Sequence, residues 1–92
     1  MITSFKHKGL KSFFETGNSS KINQSHVKKL RLVLAKLHAA QAVKDLNFPG
    51  SNLHPLTGNY KGLWAISVSG NWRLTFRFED GDVSILDYVD YH

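Results

Sequence analysis

One stretch of this chain, residues 63–92, constrains the fold more than any other. Large apolar residues occur there at every second position, which is the spacing of a β-strand with one buried face. Polar segments at residues 69–71 and 79–82 interrupt the pattern with the glycine, asparagine and aspartate residues that favour tight turns. We therefore predict two consecutive antiparallel hairpins. The apolar positions are Trp64, Ile66, Val68, Trp72, Leu74, Phe76 and Phe78.

The register of each hairpin decides which side chains share a face, because a slip of one residue moves every side chain to the other side. A three-residue loop at 69–71 places Val68 opposite Trp72 and keeps the apolar residues together. A two-residue loop at 70–71 splits them between the two faces. We therefore expect the three-residue loop, followed by a two-residue turn at Asp80-Gly81 that continues the same apolar face.

The last strand has two possible registers. In a regular ladder, Arg73 stands opposite Tyr88, and Asp90 and His92 lie on the side of Arg73, away from the core. The objection to this register is Asp87, which would then point into the core, where an unpaired carboxylate is costly.

A bulge near residues 85–86 removes that objection. It turns Asp87, Val89 and Tyr91 toward the face of Arg73. Asp90 and His92 then lie on the opposite face. The sequence alone leaves both registers open. In either register the last three residues lie beside the strand that carries Arg73.

The N-terminal residues predict a short strand and a helix. Residues 1–6 can form a strand that adds to an edge of the later sheet. Leu10, Phe13 and Phe14 follow with the i, i+3, i+4 spacing of an amphipathic helix over residues 8–16. Gly17 is placed to end that helix.

A second helix is expected to begin with Asn23 or Ser25 as its N-cap. Residues 39–46 can extend it by a turn or two, and Phe48-Pro49-Gly50 stops it. The predicted buried stripe consists of Val27, Leu30, Val33, Leu34 and Leu37.

Residues 47–62 form a long irregular segment between the second helix and the sheet. Its sixteen residues exceed the usual ~4–6 of a connection, and loops of this length tend to be functional or disordered. Leu53, Leu56 and Tyr60 indicate a loop packed on the core. The predicted fold is therefore α+β, with an N-terminal strand, two to three helices, and a C-terminal antiparallel meander that forms one twisted sheet packed on the helices.

The length predicts a single domain over residues 1–92. The positive charge of the chain suits a polyanionic or an acidic partner, and it fits a role in solubility equally well. Twelve lysines and arginines against seven acids give a net charge of +5, and five of the acids fall within residues 79–90. The absence of cysteine excludes disulfides and thiolate metal sites. No segment has the length of a membrane span or the character of a secretory signal, so we expect a cytoplasmic protein.

The histidines differ in what their positions predict. His26 in the first turn of the second helix, His38 near its end, and His7 before the first helix are expected at the surface. No histidine has HxH or HExxH spacing, so no metal site and no cofactor are predicted. His54 is different because Pro55 restricts its backbone to extended conformations.

Three separated motifs resemble the HigB-type toxins of the RelE superfamily of bacterial toxin–antitoxin systems. They are His54-Pro55-Leu56, the run Gly62-Leu63-Trp64-Ala65-Ile66-Ser67-Val68-Ser69-Gly70-Asn71-Trp72-Arg73, and Asp90-Tyr91-His92. The resemblance extends to the opening residues 2–11. It covers both ends of the chain and most of its C-terminal half, and its Asn-Trp-Arg and Asp-Tyr-His motifs are specific.

The resemblance implies a RelE-like fold, which is similar to that of microbial ribonucleases, and an endonuclease that cuts mRNA on the translating ribosome and arrests growth. It implies 16S rRNA contacts and a cognate HigA-like antitoxin with a helix-turn-helix domain, which connects the toxin indirectly to operator DNA. The catalytic positions that carry over are His54, Arg73, Asp90, Tyr91 and His92. At position 57, where the pattern predicts lysine, this chain has Thr57 and lacks that positive charge.

Basic side chains outside this set are candidates for RNA binding. On the second helix they have a simpler interpretation as a solvated face, and they could equally contact an acidic antitoxin segment. The candidates are Lys28, Lys29, Arg31, Lys61 and Arg77.

These residues allow RNA cleavage without a metal, because RNA carries its own nucleophile in the 2′-OH. Histidine titrates near ~6.5 and suits acid–base catalysis at neutral pH. Arg73 offers a planar charged fork to a phosphate. We assign proton transfer to His92 and Asp90 with help from His54, and nucleotide orientation to Tyr91.

Two other functions fit the chain less well. ParE-like relatives share the fold, inhibit DNA gyrase without catalysis, and lack the histidine ending. A plain RNA-binding domain would bind RNA without cutting it.

Overall fold

Two α-helices lie on one face of a four-stranded antiparallel sheet in this computed structural model, which describes residues 1–91. The fold is therefore α+β, as predicted. No helix in this part of the chain is long and apolar enough to cross a membrane. The elements are α1 (Lys8–Thr16), α2 (Val27–Ala39), β1 (His54–Pro55), β2 (Trp64–Ser69), β3 (Trp72–Glu79) and β4 (Asp82–Asp90), and the sheet order is β1-β2-β3-β4.

The predicted boundaries of α1 are confirmed, and each end has a specific cap. The Leu10 amide donates to Nδ1 of His7 at 2.9 Å, which satisfies one of the unpaired donors of the first turn. Gly17 ends the helix with φ of 81°, and its amide donates to the carbonyl of Phe13. His7 is therefore a helix cap.

The second helix begins through a short 3₁₀ turn, Gln24–His26, capped by Asn23. The predicted stripe packs against the sheet, with Leu30, Val33, Leu34 and Leu37 buried. The chain leaves the α-conformation after Ala39, and the predicted extension appears only as a separate 3₁₀ turn, Val43–Leu46.

The N-terminal segment lies along the outer edge of β4, as predicted for residues 1–6. It forms two isolated parallel bridges, Ile2 to Val83 and Phe5 to Leu86. The Thr3 amide donates to the carbonyl of Val83 at 2.8 Å, and the Lys6 amide donates to that of Leu86 at 2.8 Å. This pairing covers one edge of the sheet and places Lys6 beside β4.

The first hairpin keeps the predicted face but reaches it through a different turn. Ile66 stands opposite Leu74 in the body of the ladder, so the apolar side chains do share the core face. Near the turn the register shifts, and Ser69 pairs with Trp72. The predicted three-residue loop is therefore wrong. A two-residue turn at Gly70-Asn71 is compatible with one apolar face because the bulge in β2 absorbs the extra residue.

The second hairpin contains the bulge that one of the two predicted registers requires. Arg77 pairs with Ser84, but Thr75 pairs with Asp87, so β4 holds one residue more than β3 in this interval. The extra residue is near Ile85, whose φ is 47°. The bulged register is the correct alternative, and it keeps the carboxylate of Asp87 out of the core.

The long segment before β2 contains a short strand that sequence analysis missed. His54 pairs with Ala65, and Pro55 pairs with Trp64, which makes residues 54 and 55 the edge strand β1. A 3₁₀ turn, Gly58–Tyr60, follows. Leu53 and Leu56 are half-buried as expected, whereas Tyr60 is 61% exposed and does not pack on the core.

His26 is buried, and the prediction that it lies at the surface is wrong. Its ring Nδ1 lies 2.6 Å from the hydroxyl of Tyr88, and Trp72 stacks on Tyr88 with ring centroids 4.5 Å apart. Burial lowers the pKa of His26, and the nearby Lys29 lowers it further. Neutral His26 can accept a hydrogen bond from Tyr88. His26 is one helical turn before Leu30 on the buried stripe, so its position in the sequence already indicated that it is buried.

Replacing Ile85 with glycine tests the cost of the bulge. A β-branched side chain at positive φ is strained by roughly 1–2 kcal/mol, so Ile85→Gly should leave stability unchanged or raise it by up to about 1 kcal/mol. The matched change Val89→Gly, in extended β4, should lower stability by about 1 kcal/mol or more. Urea denaturation of the two variants measures this difference, and an equal loss in both would contradict the assignment of strain to Ile85.

The low pKa of His26 predicts a pH-dependent stability. Below about pH 6.5 the unfolded chain binds a proton that the folded protein resists, so stability should fall as the pH is lowered toward about 5. One proton limits this contribution to about 1.4 kcal/mol per pH unit. In His26→Gln, whose amide oxygen can still accept from Tyr88, the slope should be smaller. As the pH is lowered, the urea midpoint should therefore fall more steeply for the wild type than for His26→Gln. An equal pH dependence of the two midpoints would contradict the prediction.

Candidate active site on the uncovered face of the sheet

The face of the sheet that carries Arg73 points away from the helices. Side chains alternate along β3, and those of Trp72, Leu74 and Phe76 pack into the core beneath α1 and α2. Arg73 and Thr75 therefore lie on the other face. On this face polar groups can meet a ligand without a cost to the core.

A row of paired residues crosses this face from β1 to β4. His54 pairs with Ala65, Ala65 with Thr75, and Thr75 with Asp87. Directly paired residues point to the same side of a sheet, so His54 at one edge and Asp87 at the other share the face of Arg73. The missed strand β1 therefore fixes His54 relative to the site.

Arg73 lies in the next row of the same face, between Ser67 on β2 and Val89 on β4. From the strand spacings, its Cα is roughly 12 Å from that of His54, a gap that a phosphate between the two side chains can bridge. The Arg73 side chain is half-buried, and its Nη1 donates to the carbonyls of Gly70 at 2.6 Å and Trp72 at 3.0 Å. Both bonds use one nitrogen, so they orient the guanidinium without engaging Nη2.

Asp90 and Tyr91 lie beside the strand that carries Arg73, as predicted for either register, and their pairing is that of the bulged register. Asp90 pairs with Trp72 on the core-side face, and the Tyr91 amide donates to the carbonyl of Asn71 at 2.8 Å. Tyr91 is therefore on the face of Arg73. The regular register, in which Asp90 shares that face, is therefore the incorrect alternative, because the extra residue at the bulge inverts the alternation.

His92, the remaining predicted member of the set, lies outside the residues that the structure describes. Its immediate neighbours Asp90 and Tyr91 are described, and both are exposed. Their pairing with Trp72 and Asn71 attaches the end of β4 to the hairpin that carries Arg73.

The hydrogen bond of His54 indicates its tautomer. Nδ1 lies 2.8 Å from the carbonyl oxygen of Asn52, and a carbonyl can only accept. We therefore assign the proton of the neutral ring to Nδ1, which leaves Nε2 with a lone pair. A histidine held in this form can accept a proton through Nε2.

The five basic candidates for RNA binding fall into two groups. Arg77 lies on the same face of β3 as Arg73, and its Nε is 4.0 Å from a carboxylate oxygen of Glu79. Lys61 is exposed next to the 3₁₀ turn before β2. The others belong to α2 on the opposite layer of the molecule, where Lys28 and Arg31 are exposed. There Lys29 Nζ donates to the carbonyl of Gly50 at 3.3 Å. The structure therefore does not unite the five side chains in one patch.

A pocket beside Arg73 contains polar residues that sequence analysis did not assign to the site. Lys6 from the N-terminal segment and Asp87 from β4 form an ion pair across 4.0 Å at this pocket, which Tyr60 and Tyr91 also line. The signal in the sequence was indirect, because the cost of burying Asp87 had pointed to the bulge that brings it here. Among the residues that the structure describes, no group of three histidine or acidic side chains is arranged to hold a metal ion.

Comparison with protein-family models finds one match across nearly the whole chain. Residues 3–92 match the family described as the RelE-like toxin of type II toxin–antitoxin system HigB. This match includes the motifs around His54, Arg73 and Asp90 on which the predicted resemblance rests.

Full-length relatives belong to the same family. The chain is 46% identical over 92 residues to Endoribonuclease HigB of Proteus vulgaris, with 100% of both chains covered. It is 37% identical over 94 residues to Toxin HigB-1 of Vibrio cholerae serotype O1, covering 100% of this chain and 98% of the relative.

Solved structures of more distant proteins share the fold. The YoeB–YefM complex from Staphylococcus aureus aligns with a TM-score of 0.64 at 18% identity, over 100% of this chain and 95% of that chain. YafQ from E. coli aligns with a TM-score of 0.58 at 16% identity, over 98% and 91%. The family match and the full-length relatives show that the chain belongs to the RelE-like HigB toxins of type II toxin–antitoxin systems.

Proposed function

We propose that this toxin is an endoribonuclease that cuts mRNA on the translating ribosome through attack of the RNA's own 2′-OH. The observation that carries the proposal is the hydrogen bond from Tyr91 to Asn71, which holds Tyr91 beside Arg73 on the face that the helices leave uncovered. His54 is in the adjacent row of the same face. The relative with 46% identity is named an endoribonuclease.

The reaction requires two proton transfers and stabilisation of negative charge. A base removes the proton of the 2′-OH as its oxygen bonds to phosphorus, and an acid protonates the 5′-oxygen as its bond to phosphorus breaks. The products are a 2′,3′-cyclic phosphate and a free 5′-hydroxyl. We assign the two proton transfers to His54 and His92, with His54 acting through Nε2 because its Nδ1 faces the carbonyl of Asn52.

Arg73 supplies the charge stabilisation in this proposal. Its planar, positively charged guanidinium can donate to both non-bridging oxygens of the phosphate. The carbonyls of Gly70 and Trp72 hold it in place before substrate arrives, and such preorganisation is what makes an electrostatic group effective in a transition state.

Asp90 and Tyr91 have different parts because they lie on different faces of β4. Tyr91 shares the face of Arg73 and orients the nucleotide by stacking or hydrogen bonding. Asp90, opposite Trp72, lies on the other face of the strand from Arg73, and its part is that of a negative charge two residues before His92 in the sequence. We therefore give Asp90 a supporting part and not a direct contact with the phosphate.

The partners follow from the same proposal. Substrate mRNA binds on the face of Arg73, with 16S rRNA in contact with the toxin. A cognate HigA-like antitoxin with a helix-turn-helix domain neutralises the toxin and connects it to operator DNA. The structural neighbour from Staphylococcus aureus is itself a toxin in complex with YefM.

Cleavage of mRNA on purified, programmed ribosomes tests the proposed site. Arg73→Ala and His92→Gln should each lower the cleavage rate by about 10²–10³-fold, the usual effect of removing a transition-state contact. Lys11→Ala, which removes an exposed positive charge on α1, should cut at the wild-type rate. End analysis of the products should detect the 2′,3′-cyclic phosphate.

Wild-type cutting by both active-site variants would remove these two residues from the mechanism. Induced expression adds a test of the function as a whole, because a nuclease stops translation, whereas a gyrase inhibitor causes DNA damage. Growth arrest with DNA damage and intact mRNA would replace the nuclease with the ParE-like alternative.

The two groups of basic residues should affect binding and catalysis differently. Combined Lys61→Ala and Arg77→Ala should weaken binding of single-stranded RNA. The slope of the logarithm of the binding constant against the logarithm of the salt concentration should become shallower by about 0.7 for each lost phosphate contact. Combined Lys28→Ala and Lys29→Ala should weaken ribosome binding without changing the cleavage rate at saturating ribosomes. Filter binding of single-stranded RNA and of ribosomes at several salt concentrations measures both effects on binding. If both double variants show the same salt dependence as the wild type, neither group binds RNA.

A further inference from the structure

We propose that the pocket beside Arg73 binds one unstacked base of the RNA, from the nucleotide next to the scissile phosphate. This inference rests on the proposed nuclease function and adds a specificity site to it. The pocket has a volume of about 230 Å³ and lies between the N-terminal segment, the turn before β2 and the strand β4. None of Lys6, Tyr60 and Asp87 belongs to the catalytic set assigned above.

Two tyrosines give the pocket an aromatic lining. Tyr60 is 61% exposed and Tyr91 is 41% exposed, and both line the same pocket. Neither ring contributes to the buried core. Aromatic rings presented in this way are the usual platforms for unpaired bases, because every base has a face that can stack. Their presence on the substrate face favours a nucleobase over a purely phosphate-binding role.

A charged pair at the pocket can distinguish the parts of a nucleotide. Lys6 Nζ is 4.0 Å from Oδ2 of Asp87, and the Lys6 side chain is 73% exposed whereas that of Asp87 is 18% exposed. The other oxygen, Oδ1, accepts from the amide of Tyr88 at 3.0 Å, which fixes the carboxylate. Lys6 can thus swing to a phosphate, while Asp87 accepts a hydrogen bond from the amino group of a base.

The size of the pocket and its apolar walls fit one base. Pockets for drug-sized ligands have about 300–1,000 Å³, so a smaller volume suits a single ring system. Leu63 and Val89 contribute apolar surface, and the nearly buried Thr75 adds a hydroxyl. This mixture provides van der Waals contact for the faces of a base and polar contacts for its edge.

The pocket is within one nucleotide of the proposed reaction centre. Thr75 follows Arg73 by two residues on β3, which is roughly 7 Å at the rise of a strand. Tyr91 belongs both to the pocket and to the chain end that is attached to Asn71. A nucleotide whose phosphate contacts Arg73 can therefore place the adjacent base in the pocket.

Cleavage of mRNA that lacks single bases tests the site. Ribosomes are programmed with mRNAs in which each nucleotide around the cleavage position is replaced in turn by an abasic ribose. On intact mRNA, Tyr60→Ala should lower kcat/KM by about 5- to 150-fold, the range for loss of one stacked base. Tyr60→Phe should stay near wild type because it keeps the ring. The matched control Leu32→Ala removes an exposed apolar side chain from α2 and should have no effect.

The abasic series separates base binding from a merely structural role of Tyr60. At one position, removal of the base should slow the wild type by a similar factor, and Tyr60→Ala should then cause no further loss. If the loss in Tyr60→Ala is the same on every abasic mRNA, the pocket does not hold a base and the inference is wrong.

A binding measurement distinguishes failure of this inference from failure of the nuclease proposal. The probe is a dye-labelled hexanucleotide RNA with 2′-O-methyl groups, which lacks the nucleophile and cannot be cut. In Tyr60→Trp the indole emission should fall on probe binding by more than the emission of Trp64 and Trp72 changes in the wild type, since a stacked base quenches the new indole. Quenching by a protein that does not cleave ribosome-bound mRNA would support the pocket and overturn the nuclease. Unchanged indole emission at saturating probe, or no binding of the probe, would overturn the pocket.

Discussion

The positive φ of Ile85 is the local constraint on which the arrangement of the uncovered face depends. It accompanies one extra residue in β4, which changes the pairing from Arg77 with Ser84 to Thr75 with Asp87. Without this irregularity the carboxylate of Asp87 would enter the core, where its desolvation would oppose folding. The local strain is small compared with that cost, and Lys6 is in turn close enough to pair with the carboxylate.

Hydrophobic alternation predicted most of the fold, because burial of one sheet face is a large and regular effect. It identified the core face of β2 and β3 and the buried stripe of α2, and the i, i+3, i+4 spacing followed by Gly17 predicted the bounds of α1. The two-residue strand β1 was missed because pairing through His54 and Pro55 leaves no periodic pattern in so short a segment. The buried His26 was missed because a polar residue was judged by its type and not by its place on the stripe.

Which residues share the face of Arg73 depends on the register of β4 against β3. Arg73 and Tyr91 were correctly expected near one another, since neighbouring strands fix that proximity in either register. The position of Asp90 depended on one inserted residue, whose strain the sequence does not display directly. Tyr60 and Lys6 reach the site from segments distant in sequence, and only their tertiary placement brings them to it.

The molecule has basic groups on both of its layers, with Arg73 and Arg77 on the sheet and Lys28 and Arg31 on the helices. A single flat contact with RNA cannot engage both layers. This division suits a protein that holds a substrate strand on one side while a larger partner contacts the other. The buried contact between His26 and Tyr88 joins the layers, because it connects the start of α2 to the strand that ends beside Arg73.

The edge strand β1 has a consequence for solubility. Pro55 has no amide hydrogen, so this border of the sheet offers an incomplete template for another chain. Farther along the border, the amide of Ser67 is already occupied by the carbonyl of Ser51 at 2.8 Å, and the N-terminal segment shields the opposite border along β4. Intermolecular strand pairing, the first step toward amyloid-like aggregates, is thereby disfavoured at both edges of the sheet.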